Sequence, residues 1–445
     1  MLSLKGLRRA TAPGSLGEGA SAGRRFSRNL SSMALAQIAI RLSRLVTVVV
    51  LTRLLDPADF GAASLVLTVY EFIALFTRNG IDLAVVRAAP DEVEQMARGA
   101  HWLSWSVCGA LTLFQAAIAW PVAMAFADLS LALPIALMGL IYLVTPPCHM
   151  QIAMLQRDGR VSVLARAGAV QVMVDNGLSA ILALCGLGFW AIVLPKLIVA
   201  PLFMVMIRRA HPWRPQGRPN TRHWRAIVAF CRPVIAVEML STVQANIDNV
   251  LVGYFLGVEA LGLYYFAFNA GLGITLGLVN SFAIAVYPHL CAAFGDRAQL
   301  RARFLHTTRL LGWIVVPAVL LQSCLAPIYV PLVFGAKWQA AVPVLMLICL
   351  SALARPFAST TRQLLRAAGR PDIDLRWQGL TTLVLVALLL IGAQVGVVAV
   401  AAAVLVAQTL VLTVFSLRAP VPFIGPLLTW PAGRLPLRSA LEATR

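Results

Sequence analysis

Gln37, Arg41 and Arg44 are spaced by four and three residues and fall in an apolar stretch. In a helix that spacing puts all three on one face. At 5.4 Å per turn the arginines lie about two to three turns inside the segment. Ionisable groups at such depth are costly in lipid and mark ion pairs or functional sites. A guanidinium carries a planar fork of donors that suits phosphate oxygens, so one chemistry on offer is anion binding. The other is a pair of arginines that snorkel to the membrane surface or pair with an acid such as Glu71. A second polar face comprises Glu238, Ser241, Thr242, Gln244, Asn246, Asp248 and Asn249. These residues cover an arc of roughly 200° on a helix, while Met239, Leu240, Val243, Ile247, Val250 and Leu251 fill the rest. Such a helix lines a water-filled cavity or a polar contact between helices. Thr242 and Asn246 supply hydrogen bonds for a substrate. Asp248 and Glu238 supply carboxylates able to hold a proton or Na⁺. Asp175, Asn176, Lys196 and Arg355 are further polar groups within apolar runs, and structural ion pairs are the readier account of them.

These faces need long apolar helices to carry them, and the chain consists of little else. Of its 445 residues, 60% are hydrophobic and 12% charged, with a mean hydropathy of +0.81. A soluble domain is nearer half apolar and a quarter charged. Apolar stretches of about 20 residues each are what a bilayer requires. Helices are expected at 29–54, 60–78, 98–126, 131–156, 162–186 and 188–208. Six more are expected at 227–256, 260–287, 304–332, 339–367, 376–392 and 396–417. The domain plan is a basic tail over 1–28, a six-helix lobe over 29–208, a basic Pro-rich connector over 209–226, a second lobe over 227–417 and a tail over 418–445.

The net charge of +19 is distributed between the apolar runs. With the N-terminus in the cytoplasm, one side receives Arg87, Arg98, Arg157, Arg160, the connector, Arg297, Arg301, Arg303, Arg366, Arg370 and Arg376. The opposite loops carry Asp56, Asp59, Asp128 and Glu259, with Lys337 as their cation and Arg53 at a helix end. Lys and Arg therefore alternate at each crossing, as cytoplasmic loops demand. No basic face interleaves with aromatics, so nucleic acid is not an expected partner. No Gly-x-x-x-x-Gly-Lys-Ser/Thr phosphate loop occurs, which removes ATP hydrolysis within this chain. The seven cysteines form no C-x-x-C pair, and the histidines His149 and His289 lack metal-ligand spacing. No cofactor or metal is expected.

The halves echo one another. Leu55-Asp56-Pro57-Ala58-Asp59-Phe60-Gly61 joins the first two helices, and Leu256-Gly257-Val258-Glu259-Ala260-Leu261-Gly262 joins the seventh and eighth, 201 residues later. The same offset takes Gln37 to Glu238 and Arg41 to Thr242. Two six-helix halves have the same orientation, which gives a parallel repeat about an axis along the membrane normal. The expected fold is an all-α polytopic membrane protein of about twelve transmembrane helices in two six-helix lobes related by a pseudo-two-fold.

Four stretches carry a family resemblance. They are Leu51-Thr52-Arg53-Leu54-Leu55-Asp56-Pro57-Ala58-Asp59-Phe60-Gly61 with Gly80-Ile81-Asp82-Leu83-Ala84; Asn246-Ile247-Asp248-Asn249 with Phe255-Leu256-Gly257, Leu261-Gly262-Leu263-Tyr264 and Tyr287-Pro288; Phe334-Gly335-Ala336-Lys337-Trp338; and Ala368-Gly369-Arg370-Pro371-Asp372. In order and spacing, over about residues 30–380, the chain resembles the oligosaccharide flippases, or polysaccharide exporters, of the multidrug/oligosaccharidyl-lipid/polysaccharide exporter superfamily. It is most similar to the lipopolysaccharide and exopolysaccharide branch. The resemblance implies a bacterial inner-membrane protein that moves undecaprenyl-diphosphate-linked oligosaccharide units, coupled to H⁺ or Na⁺. It implies a cationic cavity, which Arg41 and Arg44 fit, and Asp248 matches the seventh-helix aspartate. Implied partners are the lipid-linked oligosaccharide, membrane lipids and the polysaccharide polymerase machinery. A cation-coupled multidrug exporter on the same fold is the alternative, with Glu238, Asp248 and Asp175 as its acids. A membrane enzyme of the same pathway fits poorly, because the outer loops are only a few residues long.

Overall fold

A computed structural model describes residues 40–77, 80–215, 221, 223–293 and 295–425. The tail over 1–28, Gln37 and the end of the C-terminal tail lie outside the described residues. The first half comprises α1 (40–54), α2 (Pro57–Ala74), α3 (Ile81–Arg87), α4 (Val93–Ala125), α5 (Ala132–Met138), α6 (Leu140–Val144), α7 (Pro146–Arg157), α8 (Val161–Leu184) and α9 (Trp190–Ala210). The second comprises α10 (Trp224–Leu256), α11 (Val258–Cys291), α12 (Arg297–Tyr329), α13 (Val342–Ser351), α14 (Arg355–Ala367), α15 (Pro371–Gly392), α16 (Val397–Arg418) and α17 (Val421–Ile424). Taking α5–α7 as one span and α13–α14 as another, twelve long helical segments result, matching the expected count. Eight described helices are long and apolar enough to cross a bilayer, and nine with the bent pair; α1, α2 and α11 complete the twelve. Leu113, Trp313 and Leu383 are 73%, 80% and 71% exposed. Large apolar side chains at that exposure suit lipid and not water.

The α1–α2 turn shows why its residues are there. Pro57 opens α2, where a missing N–H costs nothing. Asp59 Oδ2 accepts from the Asp56 N–H at 3.2 Å, and its Oδ1 accepts from the Phe189 N–H at 3.1 Å. One side chain therefore ties the α1–α2 turn to the α8–α9 turn. The short α3 was not expected from sequence, because seven residues are too few to display a helical period. Its Ile81 and Val85 pack with Ala97, Leu103, Met150 and Ile227. Arg157 Nη1 donates to the carbonyls of Val85, Val86 and Ala88 at 3.4, 3.2 and 2.7 Å, closing the C-terminal end of α3 as a cation should.

The fourth span is broken, with a bend of 48° between Leu129–Val144 and Pro146–Arg157. Within the first segment the Gly139 N–H turns to the Ala136 carbonyl at 3.1 Å and leaves that of Ile135, and in lipid every freed group needs a protein partner. Side chains of α4 provide them. Gln115 Nε2 donates to the Ile135 carbonyl at 2.7 Å and Thr112 Oγ1 to the Gly139 carbonyl at 3.0 Å. The Tyr142 hydroxyl lies 2.5 Å from Gln115 Oε1, and its ring stacks on Tyr70 at 5.4 Å. Gln115→Leu should lower stability by about 1–3 kcal/mol, the usual cost of stranding a buried polar partner. A thermal-unfolding midpoint equal to that of the wild type would show that Gln115 is dispensable.

The tenth span repeats this plan in the second half. It opens with a 3₁₀ turn over Ala336–Ala341 and breaks at a second one over Ala352–Ala354. Pro146 and Pro356 stand 210 residues apart at the restart of each span, and so do Gly159 and Gly369 at its end. The two glycines have φ of 69° and 67°, the left-handed conformation that ends helices. In each, the following arginine N–H closes on a carbonyl five residues back, Arg160 to Leu155 at 2.8 Å and Arg370 to Leu365 at 2.9 Å. The Phe334-Gly335-Ala336-Lys337-Trp338 stretch is an aromatic corner. Gly335 takes φ of 108°, and the buried Trp338 ring lies 4.3 Å from that of Phe266.

The chain divides into two compact units within α10, between Thr242 and Val243, whereas the sequence places the division in the connector. The physical reason lies at the start of α10. Trp224 Nε1 donates to the Gly99 carbonyl at 3.0 Å, and Ile227 and Cys231 join the core of α3, α4 and α7. The start of the connector is also bound to the first unit. Trp213 Nε1 donates to Glu94 at 3.1 Å, and Gln151 Nε2 donates to the Trp213 carbonyl at 3.0 Å.

Candidate functional site

In the first unit the polar face of α1 leads into a cluster within the bundle. Arg41 and Arg44 are exposed. Thr47 follows Arg44 by three residues on the same face and is buried. Its hydroxyl lies 3.0 Å from the Asn176 carbonyl of α8 and 2.9 Å from the Ser43 carbonyl. Asp175, beside Asn176, accepts from Lys196 of α9 at 3.2 Å. Asp175 Oδ1 and Asn176 Nδ2 are shut off from solvent and have no hydrogen-bond partner. Buried polar atoms without partners are rare and call for an explanation. On α10, Glu238 is half-buried and Thr242 is buried. Thr47 was missed from sequence, although its spacing from Arg44 was a usable signal.

In the second unit the site is built around Asp248 of α10. Tyr264 of α11 donates to Asp248 Oδ2 at 2.6 Å, and the Asn249 N–H donates to Oδ1 at 2.9 Å. Asp248 is 6% exposed and Tyr264 not at all. Short bonds to a carboxylate are the strong ones, so both oxygens are firmly held. Arg355, the first residue of α14 after the break in the tenth span, lies within electrostatic reach of both Asp248 and Tyr264. Its Nε is shut off from solvent without a partner. Two turns further along α14, Arg362 pairs with the buried Asp374 of α15 at 3.3 Å. Asn246 is half-buried. Tyr264 was not singled out from sequence, though it ends the Leu261-Gly262-Leu263-Tyr264 stretch that carries part of the resemblance.

The arrangement therefore offers exposed cations on α1, an ion pair with an open carboxylate oxygen on α8 and α9, and a closed acid–phenol pair on α10 and α11. Asp248 meets Tyr264 and Arg355. Arg41, Arg44, Glu238 and Thr242 belong to the first unit, and Asn246 and Asp248 to the second. His149 of α7 meets a side chain of α4. Its Nδ1 lies 2.9 Å from Ser104 Oγ. Among the described residues no group of three or more metal-ligating side chains converges.

Residues 50–343 match the family described as polysaccharide biosynthesis protein. An uncharacterized membrane protein in the cps region of Klebsiella pneumoniae is 21% identical over 82% of this chain and 77% of its own. The teichuronic acid biosynthesis protein TuaB of Bacillus subtilis is 23% identical over 64% of this chain and 60% of its own. Among solved structures, the lipid II flippase MurJ in an inward closed conformation superposes with a TM-score of 0.72 at 13% identity, over 86% of each chain. A multidrug resistance transporter of the MATE family, inward-facing, gives 0.70 at 15% identity, over 86% of this chain and 94% of the other. At these identities the structures speak for the fold alone.

Proposed function

This chain belongs to the polysaccharide biosynthesis protein family, and from that premise we propose that it is a flippase for lipid-linked oligosaccharide. It is a multi-pass membrane protein, and the proposed cargo is an undecaprenyl-diphosphate-linked repeat unit carried across the bacterial inner membrane, with both termini in the cytoplasm. The observation that carries the reading is the arginine face of α1 running into the Asn176–Asp175–Lys196 cluster. Cations held within an apolar span are suited to a diphosphate headgroup and ill-suited to a cationic drug. Arg41, Arg44, Gln37, Thr242 and Asn246 are the proposed substrate contacts. Asp248 and Glu238 are the proposed sites of H⁺ or Na⁺ coupling in an alternating-access cycle. Delivery to a polysaccharide polymerase on the far side follows from the same reading.

The test is deletion of the gene in the bacterium that carries it. Loss of surface polysaccharide with accumulation of lipid-linked repeat units is expected. Normal polysaccharide with no accumulation would overturn the reading. The second reading, a cation-coupled multidrug exporter, draws on the likeness to the MATE fold. A changed sensitivity to cationic dyes after deletion, with polysaccharide intact, would favour it.

A further inference from the structure

Asp248 and Asp175 within the spans, and Asp374 at the start of α15, differ in what their oxygens meet. Asp248 has one oxygen on Tyr264 and the other on a backbone N–H. Asp374, in the first turn of α15, accepts from Gln378 at 3.1 Å on one oxygen, and the other, buried without a hydrogen bond, faces Arg362 at 3.3 Å. Asp175 has one oxygen on Lys196, while the other is buried without a donor. Its neighbour Asn176 holds a buried amide nitrogen without an acceptor. The Asp175 and Lys196 side chains themselves remain partly open, at 20% and 35% exposure. Asp175 lies nine residues from the end of α8 at Leu184, which is about 14 Å at 1.5 Å per residue and near the middle of a bilayer core of about 30 Å.

We propose that Asp175 and Lys196 form an exchangeable ion pair, in which the diphosphate of the substrate takes Lys196 and Asp175 takes up a proton from water. This deepens the flippase reading and rests on it. In the empty protein each charge hides the other, which makes the pair tolerable in lipid. An incoming phosphate oxygen offers Lys196 an equivalent partner, so an N–H···O bond to Asp175 breaks and one to phosphate forms. The carboxylate is then left unpaired in an apolar setting, where it is costly as an anion. Protonation removes that cost: a proton passes from hydronium to the carboxylate, and water is released. Thr47, three residues from Arg44, joins the arginine face of α1 to this cluster through the Asn176 carbonyl.

The charged groups on elements packed against α8 are few. Among the described residues they are Lys196 on α9, with Arg208 and Arg209 at the far end of that helix, Arg41, Arg44 and Arg53 on α1, and the titratable His149 on α7. Arg157 of α7 is engaged by the α3 carbonyls, and Arg166 lies more than two turns earlier on α8 itself. Lys196 is thus the cation in direct contact with Asp175. Its capture by an anion links anion binding to proton uptake.

The test uses the full-length protein in detergent with geranylgeranyl diphosphate, which carries the isoprenoid and the diphosphate without sugar. Calorimetry in buffers of different ionisation heat gives the protons taken up per molecule bound. Wild type should take up about one proton more than Asp175→Asn, and its affinity should rise by up to about tenfold per unit fall in pH, the limit for one linked proton. In Asp175→Asn that dependence should flatten, and binding at pH 8 should be severalfold tighter than wild type, because the internal competitor is gone. Lys196→Gln should bind at least about tenfold more weakly, and Lys196→Arg should restore both binding and proton uptake. A purely structural pair would leave proton number and pH profile the same in wild type and Asp175→Asn, which overturns the exchange alone. Absence of binding by the wild type overturns the diphosphate reading and the exchange with it. Equal binding of phosphatidylglycerol with the same proton number would assign the site to bulk lipid headgroups and overturn a role in substrate handling.

Discussion

Replacing Arg41 and Arg44 together with glutamine is expected to reduce export of the lipid-linked oligosaccharide by at least about tenfold, with the amount of folded protein unchanged. A hydrogen bond to a charged group contributes about 1.5–3 kcal/mol, and about 1.4 kcal/mol is a factor of ten. Removing one such bond at each arginine would therefore exceed a tenfold effect, and hydration of the emptied site recovers part of the difference. Both side chains are exposed, so their removal leaves no cavity. Lysine at both positions should give an intermediate result, since it keeps the charge and lacks the planar fork. The measurement is accumulation of lipid-linked repeat units in cells complemented with each variant at matched expression. Export at the wild-type rate in the double glutamine variant would show that these arginines serve the membrane surface and not the cargo.

The second large effect is expected at Asp248, and it is one of stability. Tyr264→Phe removes the 2.6 Å bond to Asp248 Oδ2 and leaves that oxygen buried. The cost is about 1.5–3 kcal/mol for a charged partner. Asp248→Ala should cost more, about 3–5 kcal/mol, because Arg355 is then without the carboxylate that balances it in a dry setting. Asp248→Asn keeps the shape and an acceptor for Tyr264 but also removes the charge beside Arg355, so it should lie between Tyr264→Phe and Asp248→Ala. For a unit of this size each kcal/mol moves the unfolding midpoint by about 2–4 °C. Thermal unfolding in detergent should therefore rank the variants as Tyr264→Phe, Asp248→Asn, Asp248→Ala in order of increasing loss. A midpoint for Asp248→Ala equal to wild type would refute a stabilising role for this carboxylate. Asp248→Asn also separates structure from transport. If it is stable yet inactive in export, the carboxylate itself serves the coupling proposed for it.

Much of the molecule was legible in the sequence because the governing forces are local. A run of about twenty apolar residues becomes a helix in lipid whatever its neighbours are. The twelve expected segments accordingly each contain a described helix, with the described ends shifted by up to seven residues. The Asp56-Pro57 start of α2 and the Gly159 and Gly369 helix ends were equally readable, since they are set by proline and glycine backbone chemistry. Of the candidate residues, the helical period groups Arg41 and Arg44 on one face, and Thr47 one turn further along that face was missed. What periodicity did not reveal is the seven-residue α3, the docking of Trp213 and Trp224 on the first unit, and the division of the chain within α10.

Side-chain partnership was decided by tertiary structure. Asp175 and Lys196 each stood out as costly charges, yet only the packing of α8 on α9 puts them 3.2 Å apart. Tyr264 reads as one more aromatic in an apolar helix until α11 turns it onto Asp248. Arg355 acquires its meaning from the break in the tenth span, which brings it within reach of that pair. Hydropathy fixes how many times the chain crosses the membrane. It is silent on how far each helix is rotated about its axis, and that rotation selects which polar groups meet. The sequence by itself therefore determined the spans and the cost of each buried charge, and the packing decided how that cost is met.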